Sequence, residues 1–220
     1  HQFVASTGCV LFHRFYMRQS LDVYHHYQIA GACVLLASKI EENKRGFKEI
    51  ALACSLVAAK GDAQDASRNQ ETWERLLPRQ EIALLENCCF DLEITHPYRY
   101  IDLLAHEFAI PVFIAKAATA HVNDTLRSTV CLRFRPEITA AAALCLAMAI
   151  HRYDVKADLL DSRFVNLPPA AESEIEACVL QMLAFYRREA DSEREIARHQ
   201  QQQLRPPIHQ QHQQQLHPRT

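Results

Sequence analysis

Two stretches decide the fold: residues 29–40 read IAGACVLLASKI and residues 138–150 read ITAAAALCLAMAI. Each is apolar on nearly every side of a helical wheel, which marks a helix at the buried axis of a bundle rather than one lying on its surface. At an offset of 110 residues Ala32 aligns with Ala142, Leu36 with Leu146, Ala37 with Ala147 and Ile40 with Ile150. A second echo, at an offset of 95, relates EIALLENCCF (81–90) to EACVLQMLAF (176–185). The flanking elements follow in the same order, so the chain reads as a duplicated all-α unit of roughly 90 to 100 residues built round one Ala-rich helix. Its small side chains let neighbouring helices approach closely.

Outward from these stretches, apolar positions recur at helical spacing and no strand-like alternation is sustained. The periodicity predicts helices over 2–19, 26–42, 47–59, 73–90, 97–108, 112–129, 136–152, 158–164 and 172–188. Gly46 and Gly61-Asp62 fall in breaks, while Pro97, Pro111 and Pro136 stand where a first helical turn accepts proline. From Glu189 the pattern turns polar (EADSEREIAR), and from His199 it becomes HQQQQLRPPIHQQHQQQLHPRT. Such a Gln/His/Pro composition cannot bury a core, so residues 191–220 are expected to be a disordered tail. The chain opens inside an apolar helical pattern at His1, without a charged n-region or a cleavage site, and reads as cut from a longer sequence with no signal peptide.

Composition narrows the function. Hydrophobic residues make up 49% of the 220, enough for globular folding, and Lys+Arg 24 against Asp+Glu 26 leaves a net charge of -2. Direct nucleic-acid binding driven by counterion release is therefore not expected. The four glycines are too scattered to cradle a phosphate, which removes the commonest nucleotide-cofactor readings. The longest apolar run, 138–150, is shorter than the roughly 20 residues a bilayer requires. Eight cysteines without a C-x-x-C pair read as reduced, packed, intracellular thiols rather than a disulfide framework or a zinc site. His25-His26, His106-Glu107 and Phe12-His13-Arg14 lack a second ligand at helical spacing and read as ordinary histidines, so no metal and no cofactor is expected. Tail residues His199, His209, His212 and His217 read as solvated low complexity, and Arg127, Arg133 and Arg135 as a solvated basic face.

Function in a duplicated unit belongs where the copies disagree, and Lys39 is such a place. It ends a buried helix, one residue from Ile40 and three from Leu36, yet its counterpart is Ala149. An ammonium there snorkels to water, caps the negative end of the helix, or meets a partner.

The stretch GACVLLASKIEENKRGFKEI (31–50) resembles the central part of the cyclin box, with its A-x-x-L-A-x-K-x-E-E pattern, and RQEIALLENCCFDLEITHPYRYI (79–101) resembles the later helix and the linker between boxes. TGCVLFHRFYMRQS (7–20), HVNDTLRSTVCLRFRPEITAAAALCLAMAI (121–150) and IEACVLQMLAFYR (175–187) resemble the preceding helix, the second box and its last helix. The likeness covers nearly all of 1–188, in order, and is greatest to the transcriptional cyclins of the K, T and L branch.

This resemblance implies a duplicated cyclin-box bundle of two repeats of about five helices. An N-terminal box at 1–94 lacks its first helix, and a C-terminal box spans 95–190. It implies a regulatory subunit without catalytic residues, whose partner is the catalytic subunit of a cyclin-dependent Ser/Thr kinase. That kinase would act in the nucleus on the C-terminal repeats of RNA polymerase II. The family's kinase-binding motifs fall on Lys39 and Glu81, with apolar contacts at Leu36, Leu85, Phe90 and Leu92. The alternative weighed against it is a cyclin-fold general transcription factor on promoter DNA, which calls for a basic second repeat and a zinc ribbon that this sequence does not display. A Cys/His enzyme is a third reading, for which no nucleophile and base can be paired.

Overall fold

A computed structural model describes residues 2–43, 45–153 and 171–203. Every regular element among them is helical: α1 (Gln2–Tyr16), α2 (His26–Ile40), α3 (Phe47–Ala58), α4 (Ala63–Asn87), α5 (Tyr98–Glu107), α6 (Val112–Thr125), α7 (Val130–Arg133), α8 (Pro136–Ile150) and α9 (Ala171–Gln203). The chain divides into two compact units, residues 1–179 and 180–220.

The duplication is visible in the helices themselves. The offset of 110 that aligns the Ala-rich stretches carries α2 onto α8 at both ends and brings α1 onto α6. In each copy the same two helices pack together, α1 on α2 and α6 on α8. In the first copy Leu11 and Phe15 of α1 meet Ile29, Ala32, Cys33, Leu36 and Ala37 of α2, with Leu84 and Cys88 closing the cluster. A second cluster joins Leu35 of α2 to Ile50 and Ala51 of α3 and to Trp73 and Leu77 of α4. Gly31 marks the tightest approach there. A Cβ on it would come within 2.9 Å of both Cys54 Sγ and Leu77 Cδ2.

The expectation of two buried axes holds fully for α8, whose residues from Glu137 to Met148 are buried except Cys145. In α2 it holds on one side only, because Tyr27 and Val34 are exposed. Helix α5 packs on α8 and α6, and Leu144 of α8 is buried where its counterpart Val34 of α2 is exposed.

Three expectations are corrected. Helix α4 begins at Ala63, not at residue 73, because Asp62 caps it by accepting from the amides of Gln64 (2.9 Å) and Asp65 (3.1 Å). Its first two turns, AQDASRNQ, are too polar to show apolar periodicity, so only the cap announces them. The helix expected over 112–129 ends as α6 at Thr125, and the separate one-turn α7 begins only at Val130. Helix α9 continues to Gln203, past the expected start of disorder at 191. Its polar length is free of Gly and Pro and rich in Glu, Arg, Ala and Gln, strong helix formers that carry an Arg194–Asp191 pair at 3.3 Å. The helix expected at 158–164 lies outside the described residues, as do 204–220.

Only four glycines are present, so most left-handed helix ends fall on other residues. Glu42, Lys60, Cys89, Ala109 and Arg152 have φ between 48° and 55° just beyond α2, α3, α4, α5 and α8. Four of these ends close with an amide reaching back five residues: Gly61 to Leu56, Phe90 to Leu85, Ile110 to Ala105 and Tyr153 to Met148. That bond pattern satisfies carbonyls that would otherwise be orphaned at the helix terminus.

Candidate functional site

The last turn of α2 and the second half of α4 bring together the two charged residues singled out in the sequence. Lys39 Nζ donates to Glu81 Oε1 at 2.5 Å and to Oε2 at 2.8 Å. The lysine side chain is 52% exposed and the glutamate 13%, so the pair is open on the lysine side and footed in the bundle on the other. An ammonium has three donors and two are used here, which leaves one for a visiting acceptor.

The apolar residues expected beside them separate by depth. Phe90 is 66% exposed, while Leu85 and Leu92 are half-buried and packed against the first core cluster. Leu36, 4% exposed, belongs to the cluster itself and supports the surface from beneath. Phe90 owes its outward position to the end of α4. Cys89 and Phe90 both adopt positive φ, 55° and 56°, and the chain turns back with Phe90 N–H on Leu85 O at 3.0 Å. Arg18 braces the turn, donating to Asn87 O and Cys89 Sγ, each at 2.8 Å. Ile82, next to Glu81, is also exposed and enlarges the apolar surface.

Behind Lys39 lies a polar cluster that the sequence did not announce. Thr7, fully buried in α1, donates its hydroxyl proton to Glu41 Oε1 at 2.5 Å, and His96 Nε2 lies 2.8 Å from the same hydroxyl. A hydroxyl has one proton, and it goes to the carboxylate, so His96 must be the donor to Thr7 through Nε2. Burial lowers the pKa of His96, while the charge of Glu41, 3.6 Å away, and its hydrogen bond pull the other way. Alongside, Ser6 Oγ lies 3.2 Å from Tyr98 OH, which donates to Asn123 Oδ1 at 2.7 Å. Together these bonds tie α1, the end of α2, the 88–97 linker, α5 and α6.

Hydroxyl, imidazole and carboxylate are therefore adjacent, but in an order unsuited to nucleophilic catalysis. A triad requires the base to accept the nucleophile's proton and the acid to orient the base. Here the acid takes that proton directly, and the hydroxyl has no exposed surface for a substrate.

The remaining candidates are structural. Next to His96 a cavity of about 460 Å³ is lined by Arg14, Asp91, Glu93, Arg135 and Glu137 among others. Four of these charges pair, Arg14 with Asp91 at 3.4 Å and Arg135 with the buried Glu137. Arg133 lies 5.8 Å from the centre of the Phe134 ring. His25 and His26 stack at 4.8 Å, and His13 Nε2 sits 2.8 Å from Leu126 O. Among the described residues no group of three or more His, Cys, Asp or Glu side chains is placed to hold a metal ion. All eight cysteines are free; burial pushes the thiols of Cys131 and Cys145 up to about 11 and that of Cys178 to about 12, which keeps them protonated and inert.

Comparison with known proteins gives a consistent result. The family model described as "Cyclin, C-terminal domain" matches residues 97–216. Cyclin pch1 of Schizosaccharomyces pombe is 35% identical over 151 residues, covering 67% of this chain and 44% of that protein. Cyclin-K of Homo sapiens is 32% identical over 162 residues, 71% of this chain and 27% of that one. Cyclin-T1-3 of Oryza sativa subsp. japonica is 32% identical over 163 residues, 71% and 33%. The chain thus spans less than half the length of these relatives. Among solved structures, the yeast RNA Pol II CTD kinase CTDK-1 complex contains a chain that superposes with a TM-score of 0.71 at 18% identity, over 84% of this chain and 59% of that one. The CAK complex of Chaetomium thermophilum bound to ATP-gamma-S contains one with a TM-score of 0.57 at 19% identity, over 84% and 56%. At these identities the likeness establishes the fold.

Proposed function

Because this chain belongs to the cyclin family, we propose that it is the regulatory subunit of a cyclin-dependent Ser/Thr kinase of the transcriptional class. In this reading residues 1–94 are the kinase-binding box and 95–190 the second box, and the chain supplies no catalytic residue of its own. The kinase it activates would phosphorylate the C-terminal repeats of RNA polymerase II, and the complex would work in the nucleus. The relatives named cyclin-K and cyclin-T, and the CTD kinase complex among the structural neighbours, support that choice of partner and substrate.

The observation that carries the reading is the Lys39–Glu81 pair, held at hydrogen-bond distance on the surface with Phe90 exposed beyond it. Lysine offers donors and glutamate acceptors to the main chain of one kinase segment, while Phe90, Leu85 and Leu92 supply apolar area over the core that contains Leu36. Hydrogen bonds fix register where aliphatic contact alone would let a helix slide. A kinase becomes active when its own Lys–Glu ion pair and its metal-binding Asp are in place, which is what a clamp on its C helix controls.

The test is copurification followed by reconstitution. The full chain is expressed with an affinity tag in its native cells, the kinase subunit that accompanies it is identified and purified alone, and the two are recombined on a peptide of RNA polymerase II C-terminal repeats. Activity of the kinase should rise at least about a hundredfold, some 3 kcal/mol of activation. If no cyclin-dependent kinase accompanies the chain, or the purified pair is no more active than the kinase alone, the reading is wrong.

A further inference from the structure

Lys39 and Glu41 stand two residues apart at the end of α2, about 200° round the helix, and so face opposite ways. Lys39 points to Glu81 on α4, whereas Glu41 points to Thr7 on α1 and, through it, to His96 in the linker. One helical turn is gripped from both sides. Glu41 is also the residue that closes α2, and the next residue, Glu42, turns left-handed at φ 51°, so the turn has no further helix to steady it.

The second repeat shows which part of this grip is special. By the offset of 110, Lys39, Glu41 and Thr7 correspond to Ala149, His151 and Ala117, on the matching helices of the second copy, which pack together as α1 and α2 do. His151 closes α8 as Glu41 closes α2, but its ring rests on Phe113 at 5.5 Å. A fold that needed the polar relay would have kept it in both copies. It is present only where the helix ends in the lysine.

We infer that Thr7 and His96 are positioning residues for Lys39: through Glu41 they hold the last turn of α2 so that the ammonium is presented to the kinase in one orientation. The inference rests on the kinase-binding reading above. The bond order supports it, because the chain of donors runs one way, from His96 to Thr7 to the Glu41 carboxylate, and removal of either donor breaks it.

The experiment is a double-mutant cycle by calorimetry with the purified kinase subunit identified by copurification. Thr7→Val and His96→Leu should each weaken binding about tenfold, the scale of one buried hydrogen bond to a charged group. Thr7→Ser and His96→Gln, which restore a hydroxyl and a donor near Nε2, should return to within about twofold of the parent. In a Lys39→Ala background Thr7→Val should cost less than about twofold, because there is no longer an ammonium to position. The inference is overturned if Thr7→Val binds like the parent, or if it costs the same tenfold without Lys39. Should Thr7→Val not fold, Glu41→Gln replaces it, with a smaller loss that must again vanish in the Lys39→Ala background. If Lys39→Ala alone leaves affinity unchanged, the clamp reading falls and this inference with it; if Lys39→Ala weakens binding and Thr7→Val does not, only the inference falls.

Discussion

The amide of Phe90 donates to the carbonyl of Leu85 at 3.0 Å, and this one bond folds the end of α4 back so that two residues five apart in sequence share a surface. Cys89 lies between them in the left-handed region and is the exposed cysteine among the eight. A maleimide added to the native protein should therefore label one thiol quickly, and Cys89→Ser should abolish that fast phase. The labelled protein should bind its kinase at least about tenfold more weakly, because the adduct stands beside Phe90. Rapid labelling of several cysteines, or full affinity after labelling, would contradict the geometry.

Lys39→Ala and Glu81→Ala should each weaken kinase association at least about thirtyfold, roughly 2 kcal/mol, as expected when one member of a charge set that becomes buried on binding is removed. The losses should be non-additive, since both residues serve one kinase segment. The lysine is half exposed in the free chain, so thermal unfolding followed by circular dichroism should change little. Parent-like binding by both variants would make Lys39 no more than a helix-end cation.

Acid should destabilise the protein below about pH 6.5. Burial lowers the pKa of His96 from 6.5 against the pull of Glu41, and burial lowers that of His121, with Asp124 opposing and His151 reinforcing. The unfolded chain then binds more protons than the folded one as pH falls through 6.5, so the stability present above that pH is progressively lost. Urea midpoints measured from about pH 7.5 to 5.5 should fall, and His96→Gln should flatten the dependence by removing one of the two titrations. An unchanged slope in His96→Gln would show that His96 does not titrate in this range.

Lys60 is exposed and holds φ 52° at the end of α3. Glycine adopts that region without the Cβ clash, which outweighs its greater freedom in the unfolded chain. Lys60→Gly should gain about 0.5–1 kcal/mol, or about 1–4 °C in Tm. Lys60→Ala should gain nothing, and equal Tm values for the two variants would rule out relief of backbone strain as the cause.

Much of this molecule was legible in one dimension because it repeats. Two Ala-rich stretches aligned at a fixed offset are enough to locate α2 and α8, since a helix that is apolar all round has nowhere to go but the centre of a bundle. Lys39 was legible for the complementary reason: a charge at the end of a core helix, matched by alanine in the other copy, needs an explanation. Helix α4 was read short because its polar N-terminal turns depend on a cap at Asp62, and capping leaves no apolar rhythm. The helical stretch of α9 beyond residue 190 was missed because composition that cannot build a core can still form helix.

The sequence by itself therefore determined the all-α class and the duplication, which follow from short-range periodicity, and the resemblance carried by its motifs pointed to the family and to Lys39 and Glu81 as separate candidates; that the two pair is a tertiary fact. Only the tertiary structure decided depth and direction. It buried Leu36 while turning Phe90 outward, and it brought Thr7, Glu41 and His96, from three separated segments, to within one hydrogen bond of each other. A threonine inside an apolar helix and a histidine before a proline carry no signal of their own. Their meaning arises from long-range packing, which sets which donor meets which acceptor once the helices close.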